Sequence, residues 1–174
     1  MDVLDTALEV IDLRSFSNLW YWIALAVLWS SVSHWVLGVP HDMIQRARRE
    51  GGQVQTDVED LVRININRLL HVIDSGAWIL VGLAAFWLTS LILLGFWYDI
   101  EFAQAVFLLL APMMLVVWFS VRASRRIVAE GDSGEALFRR LTVHRRIVQV
   151  IGMLSITVTA FYGTWQNINV SILN

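Results

Sequence analysis

Four runs, Leu19 to Val39, Gly76 to Tyr98, Phe102 to Val121 and Ile147 to about Trp165, contain no lysine, arginine, aspartate or glutamate. Each has the ~20 residues a helix needs to cross a ~30 Å hydrocarbon core. Every backbone donor and acceptor at that depth must be satisfied within the segment, so runs of this kind fold as membrane-crossing helices. The composition agrees: 57% of the 174 residues are hydrophobic and 16% charged, too little polar surface for a soluble domain. The chain has no cysteine, which excludes disulfides, thiolate zinc sites, thiol catalysis and cysteine-ligated iron–sulfur clusters on it.

All thirteen basic residues are arginine, and twelve fall in two connections. Arg46, Arg48, Arg49, Arg63 and Arg68 lie between the first two runs; Arg122, Arg125, Arg126, Arg139, Arg140, Arg145 and Arg146 lie between the last two. By the positive-inside rule both connections, 40–75 and 122–146, are expected in the cytoplasm, with both termini and the Asp99-Ile100-Glu101 turn outside. Aromatic residues give the same orientation: Trp20, Tyr21, Trp22, Trp97, Tyr98, Tyr162 and Trp165 would mark the outer interface, and Trp35, Trp78 and Trp118 the inner one. The expected architecture is therefore an all-α integral membrane domain over 1–174, with four transmembrane helices at about 19–39, 76–98, 102–121 and 147–165. The opening MDVLDTALEVIDLRSF has four acids and one arginine and lacks a basic n-region. It is expected to be an uncleaved interfacial helix over 1–17, with Leu4, Leu8 and Ile11 against Asp5, Glu9 and Asp12.

The helices are expected to extend beyond the membrane. Thr56 and Glu59 have the spacing of a capping box, followed by helically spaced Leu61, Val62, Ile66, Leu69, Leu70 and Ile73. A helix from there to Tyr98 would have about 43 residues and a length of ~64 Å. The third span is expected to run on through Arg126 to Glu130 and stop at Gly131, and the fourth helix to start near Asp132 or Ser133 with Glu135 in its first turn. Pro40 can open a short helix, His41 to Glu50, ended by Gly51-Gly52. Pro112 is expected to kink the third span.

At 100° per residue, Ala26, Ser30, Ser33 and His34 share an arc that is expected to face the bundle, with Tyr21, Leu25, Leu28, Val32 and Val36 opposite. His34, His71 and His144 all lie near the inner boundary, where two imidazoles could ligate a haem iron or border a quinone head group. Against this stands the plainer reading of interfacial histidines hydrogen-bonded to neighbouring helices, since no His-x-x-x-His or His-x-x-Glu-His pair is present. The cluster of Arg122, Arg125, Arg126, Arg139, Arg140, Arg145 and Arg146 suits anionic lipid head groups, at ~1 kcal/mol per basic residue. Its competing role is orientation plus ion pairs to Asp57, Glu59, Asp60 and Asp74. Gly82, Ala85 and Thr89 form a narrow small-residue seam for helix packing, within or between chains.

The span centres carry no ionisable group, which argues against proton- or ion-coupled transport, and no P-loop, G-x-S-x-G or H-E-x-x-H motif is present. The runs SFSNLWYWIALAVLWSSVSHWVLGVPHDM and DLVRININRLL resemble a family of small alphaproteobacterial four-helix inner-membrane proteins, some of which carry the description "component of SufBCD complex". The resemblance implies a multi-pass protein of the bacterial inner membrane. A link to iron–sulfur cluster assembly would follow from that description, and this chain, without cysteine or a nucleotide loop, could serve there only as an accessory.

The expected function is thus a non-catalytic accessory or scaffold subunit, associating with itself or with the other subunits of a larger bioenergetic membrane complex, in contact with anionic lipids and with no nucleic acid. An alternative from another class is a small homo-oligomeric channel lined by Ser30, Ser33, Thr89 and Ser90, with an arginine-ringed mouth that would favour anions. A haem- or quinone-binding subunit using His34 with His71 or His144 is a second alternative.

Overall fold

The computed structural model describes the backbone of residues 15–173 and the side chains of 15–168. Of the expected interfacial helix at 1–17, only Ser15–Ser17 falls among these, the remainder lying outside the described residues. Those three residues form a 3-10 turn, and Phe16 is buried rather than lying on a surface.

The helices are α1 (Leu19–His34), α2 (His41–Glu50), α3 (Gly52–Ile92), α4 (Glu101–Glu130) and α5 (Gly134–Leu173). Three of them, α3, α4 and α5, are long and apolar enough to cross a membrane. α3 continues through a π-helical turn, Leu93–Trp97, into the bend at Asp99. At 1.5 Å per residue, the 41 residues of α3 span ~62 Å, so helices stand well clear of any apolar layer, as their periodicity predicts.

Two kinds of core follow from that length. At one end, α2, the first half of α3, the end of α4 and the start of α5 bury Ile44, Ala47, Val58, Val62, Ile66, Ile127, Leu137, Phe138 and Leu141 together with Val36 and Val39. This arginine-rich end is a small helical head. Along the apolar shafts a thinner cluster, Leu25, Trp29, Val116 and Val148, joins α1, α4 and α5. The most apolar window of α3 is only 11% buried, against 28% in α5, so most of its surface faces outward.

Two helix boundaries differ from expectation. α1 stops at His34 after 16 residues instead of continuing to Val39. Trp35–Val36 pairs antiparallel with Val39–Pro40, and the intervening Leu37 (φ 49°) and Gly38 (φ 78°) both have positive φ, the pattern of a type I′ two-residue turn. An apolar run cannot distinguish helix from hairpin by hydropathy alone; Gly38 is the punctuation mark, and a Cβ there would lie 2.9 Å from Asn65 Nδ2. Thr56 and Glu59 are not a capping box, because α3 begins four residues earlier and Thr56 Oγ1 donates instead to Gly52 O at 3.3 Å. Within α3 the dihedrals of Gly76 (φ −131°, ψ 20°) are non-helical, an irregularity not anticipated from the sequence, and Pro112 lies inside the continuous helix α4. Elsewhere the local signals hold: Pro40 precedes α2, Gly51 (φ 64°) ends it, and Gly131 (φ 62°, ψ 36°) ends α4 with its N–H on Ile127 O.

Candidate functional site

The head collects the residues singled out by their charge. α2 buries Ile44 and Ala47 and turns Arg46, Arg48 and Arg49 outward. Arg48 donates through Nε to Glu135 at 3.0 Å in the first turn of α5. Glu59 accepts from Gly134 N at 2.8 Å, so the carboxylate expected to cap its own helix caps α5 instead. Arg125 pairs with Asp74 at 3.0 Å, and Arg140 clasps both Asp132 and Glu130 across the α4–α5 turn. These carboxylates, with the Arg140 hydrogen bond to Asp132 foremost, raise the Arg140 pKa further and keep it charged. The exposed pairs contribute only ~0–1 kcal/mol each, so they orient the head more than they stabilise it.

The seven arginines of the expected lipid cluster therefore divide. Arg125 and Arg140 hold acids of this chain. Arg145 Nε donates to Ser33 O at 3.2 Å, satisfying a carbonyl at the C-terminal end of α1, and Arg122 lies 5.7 Å over the ring of Trp118. Arg126, Arg139 and Arg146 are exposed and form no ion pair with a described residue. Arg122 and Arg126 border a pocket of about 150 Å³ walled by Phe119, Val143, His144 and Ile147.

The histidines do not converge. His34 is 54% exposed and lies 3.8 Å from Asp42, edge-on to Trp35 at 5.9 Å. His71 is exposed on α3. His144 is buried at 5% exposure, with Nε2 3.3 Å from Ser120 Oγ. Ser120 Oγ already donates to Val116 O at 2.8 Å, which assigns the His144 proton to Nε2. Among the described residues no group of three or more His, Asp or Glu side chains could hold a metal ion. His41, beside His34 at the start of α2, has its pKa lowered by burial and by the Arg145 and His34 charges.

The arc expected to face the bundle is also reversed: Leu25 and Trp29 are buried, while Ala26, Ser30 and His34 are exposed and Ser33 half-buried. A polar residue at the end of a span has interfacial water and head groups for partners, so shape decides which face is buried. Trp29 packs closely on Gly152, where a Cβ would come within 2.8 Å of its ring, and Phe16 does the same on Gly163, at 3.0 Å. Those glycines, eleven residues apart on one face of α5, are the packing positions that the sequence reading missed. A Cβ added at Gly82, in contrast, would meet nothing within 4 Å, and Ala85 and Thr89 are exposed, so the expected seam is not buried against another helix among the described residues. Thr89 and Ser30 both face outward, and Ser90 is half-buried.

A second missed residue is Gln104, 1% exposed at the opposite end from the head. Its Nε2 donates to Gly95 O at 2.7 Å and its Oε1 accepts from Gln166 Nε2 at 2.8 Å, linking the π turn, α4 and α5. Charge was the signal followed in the sequence, and a neutral amide within an apolar run carries none.

Burial of the His144 imidazole lowers its pKa below the ordinary 6.5. The unfolded chain then binds the proton more readily, so this contribution to stability is complete above pH ~6.5 and is lost progressively as pH falls from there through the lower pKa of the folded state. Between about pH 7.5 and about pH 5.5, thermal melting of wild type should fall more than that of His144→Gln. Equal falls in the two proteins would show that His144 does not carry the acid sensitivity. In comparisons with known proteins, the chain matches no family model, no curated protein and no solved structure.

Proposed function

We propose that the protein is a non-catalytic scaffold or accessory subunit of the bacterial inner membrane, with four spans, both arginine-rich connections in the cytoplasm and both termini outside. α1 and the hairpin after it supply the fourth crossing: 16 helical residues span ~24 Å, and the extended residues 35–36 continue toward the surface. The observation that carries the reading is the head. Nine buried apolar side chains from both connections, joined by Val36 and Val39 of the hairpin, lock together where the helices leave the apolar layer. Moving parts of proteins come from their loosely packed segments, and these connections carry the larger of the two buried apolar clusters. Such a head is a fixed platform, and three of its arginines that form no ion pair with a described residue, Arg126, Arg139 and Arg146, suit anionic lipid or an acidic partner.

A free lateral surface supports association in the membrane. Gly82, Ala85 and Thr89 face outward on the least covered helix, where small residues would let the backbone of another subunit approach closely. Mild-detergent extraction followed by native gels and crosslinking should give a discrete assembly of fixed stoichiometry, and Gly82→Leu should dissociate it while leaving helix content unchanged. A stable monomer in several mild detergents would overturn the scaffold reading. Reporter fusions test the orientation separately: a reporter inserted at Gly131 should be active only in the cytoplasm, and an external signal there would overturn it.

A further inference from the structure

A groove of about 570 Å³ lies between the hairpin after α1, the middle of α3 and the end of the apolar run of α4. We propose that it binds one anionic phospholipid, with the phosphate held by Arg68 and Ser124 and an acyl chain lying along Val72 and Val117. The assignment rests on the proposed placement of this end of the molecule at the inner membrane surface.

Three observations carry it. Asn65, Arg68 and Leu69, and Val72 occur at i, i+3, i+4 and i+7 on α3, so one helix face passes from amide and guanidinium to apolar wall. Arg68 is exposed and forms no ion pair with any described residue, unlike Arg46, Arg48, Arg63, Arg125 and Arg140. Ser124 lines the groove at 0% exposure, and its Oγ has no hydrogen-bond partner among the described residues. Ser120 and Thr142 back-bond to the carbonyls of Val116 and Phe138 four residues earlier, each at 2.8 Å, and Ser155 donates across to Leu108 O. Ser124 makes neither kind of bond, so its hydroxyl is an unsatisfied donor buried at the groove floor.

The chemistry of the walls selects the head group. Asn65 commits one amide hydrogen to Gly38 O at 3.1 Å and keeps the other. Together with Arg68 and Ser124 it offers donors to phosphate oxygens, and a guanidinium suits their planar, paired recognition. No carboxylate lines the groove, so the cationic amine of a zwitterionic head group would find no partner. The apolar part continues into the membrane run of α4 at Val117, which distinguishes a lipid from a free phosphate.

Native mass spectrometry of the full chain, released from mild detergent and titrated with phosphatidylglycerol or phosphatidylcholine, tests the site. One phosphatidylglycerol per chain should be retained in preference to phosphatidylcholine. Arg68→Gln should weaken that binding about tenfold, and Arg68→Lys should retain most of it. Ser124→Ala should weaken it without lowering the melting temperature, because it removes a hydroxyl that has no partner in the empty groove. Arg46→Gln, whose guanidinium is paired with Glu50 and does not line the groove, should leave it within about twofold. Equal binding to wild type and Arg68→Gln, equal retention of the two lipids, or displacement by excess inorganic phosphate would each overturn the site. A chain that never partitions into membranes would instead fail at extraction and remove the membrane reading with it.

Discussion

Phe138→Ala should unfold the head while leaving the membrane shafts in place. Phe138 is 2% exposed in the core shared by α2, α3, α4 and α5, and truncating a buried phenylalanine costs about 3–5 kcal/mol. For a chain of this length each kcal/mol corresponds to roughly 2–4 °C in melting temperature, so scanning fluorimetry on the nine tryptophans should show a drop of roughly 10 °C. Hydrogen exchange locates the effect: amides of α2, of the first half of α3 and of the α4–α5 connection should lose protection together, while those of the apolar shafts retain it. The head would then be a separate cooperative unit. Uniform loss along all helices would mean that the head and shafts fold as one, and unchanged protection in α2 would show that Phe138 is not part of what holds it.

At the other core, Gly152→Leu should detach α1 from the bundle. The Trp29 indole occupies the space into which any side chain at 152 must grow, and it is itself 3% exposed, so it cannot swing aside without leaving the Leu25–Val116–Val148 cluster. Overpacking of this kind costs about 1–3 kcal/mol and more where the obstructing group is rigid. Gly152→Ala should produce a smaller version of the same defect, with protection lost across residues 19–34 and preserved in the head. Trp29→Ala combined with Gly152→Leu should recover part of the loss, giving a coupling of at least about 1 kcal/mol. Additive effects would show that the two residues do not meet.

Much of the helical layout is legible in local sequence. Gly51 and Gly131 end their helices with positive φ, Gly131 in the left-handed helical region, Pro40 opens α2, and the periodic Val62, Ile66 and Leu70 keep α3 helical beyond the apolar layer. Arginine placement likewise anticipates that the two connections gather at one end, where Arg48–Glu135 and Glu59–Gly134 bind them together. The candidate site was less legible. His34, His71 and His144 share a level along the chain's apolar boundary, but rotation about each helix axis separates them: one reaches Asp42, one faces outward and one is buried against Ser120.

Hydropathy and charge are one-dimensional quantities, and they were sufficient to establish by themselves three long apolar helices, their extensions and the clustering of arginine at one end. Lateral packing was decided only by tertiary structure. In an apolar medium hydrophobicity no longer distinguishes a buried face from an exposed one, so close fit takes over. That is why Gly152 and Gly163 receive Trp29 and Phe16 while Gly82 meets nothing, why Gln104 rather than a charged residue joins the far end, and why Ser124 lies unpaired beneath Arg68's groove.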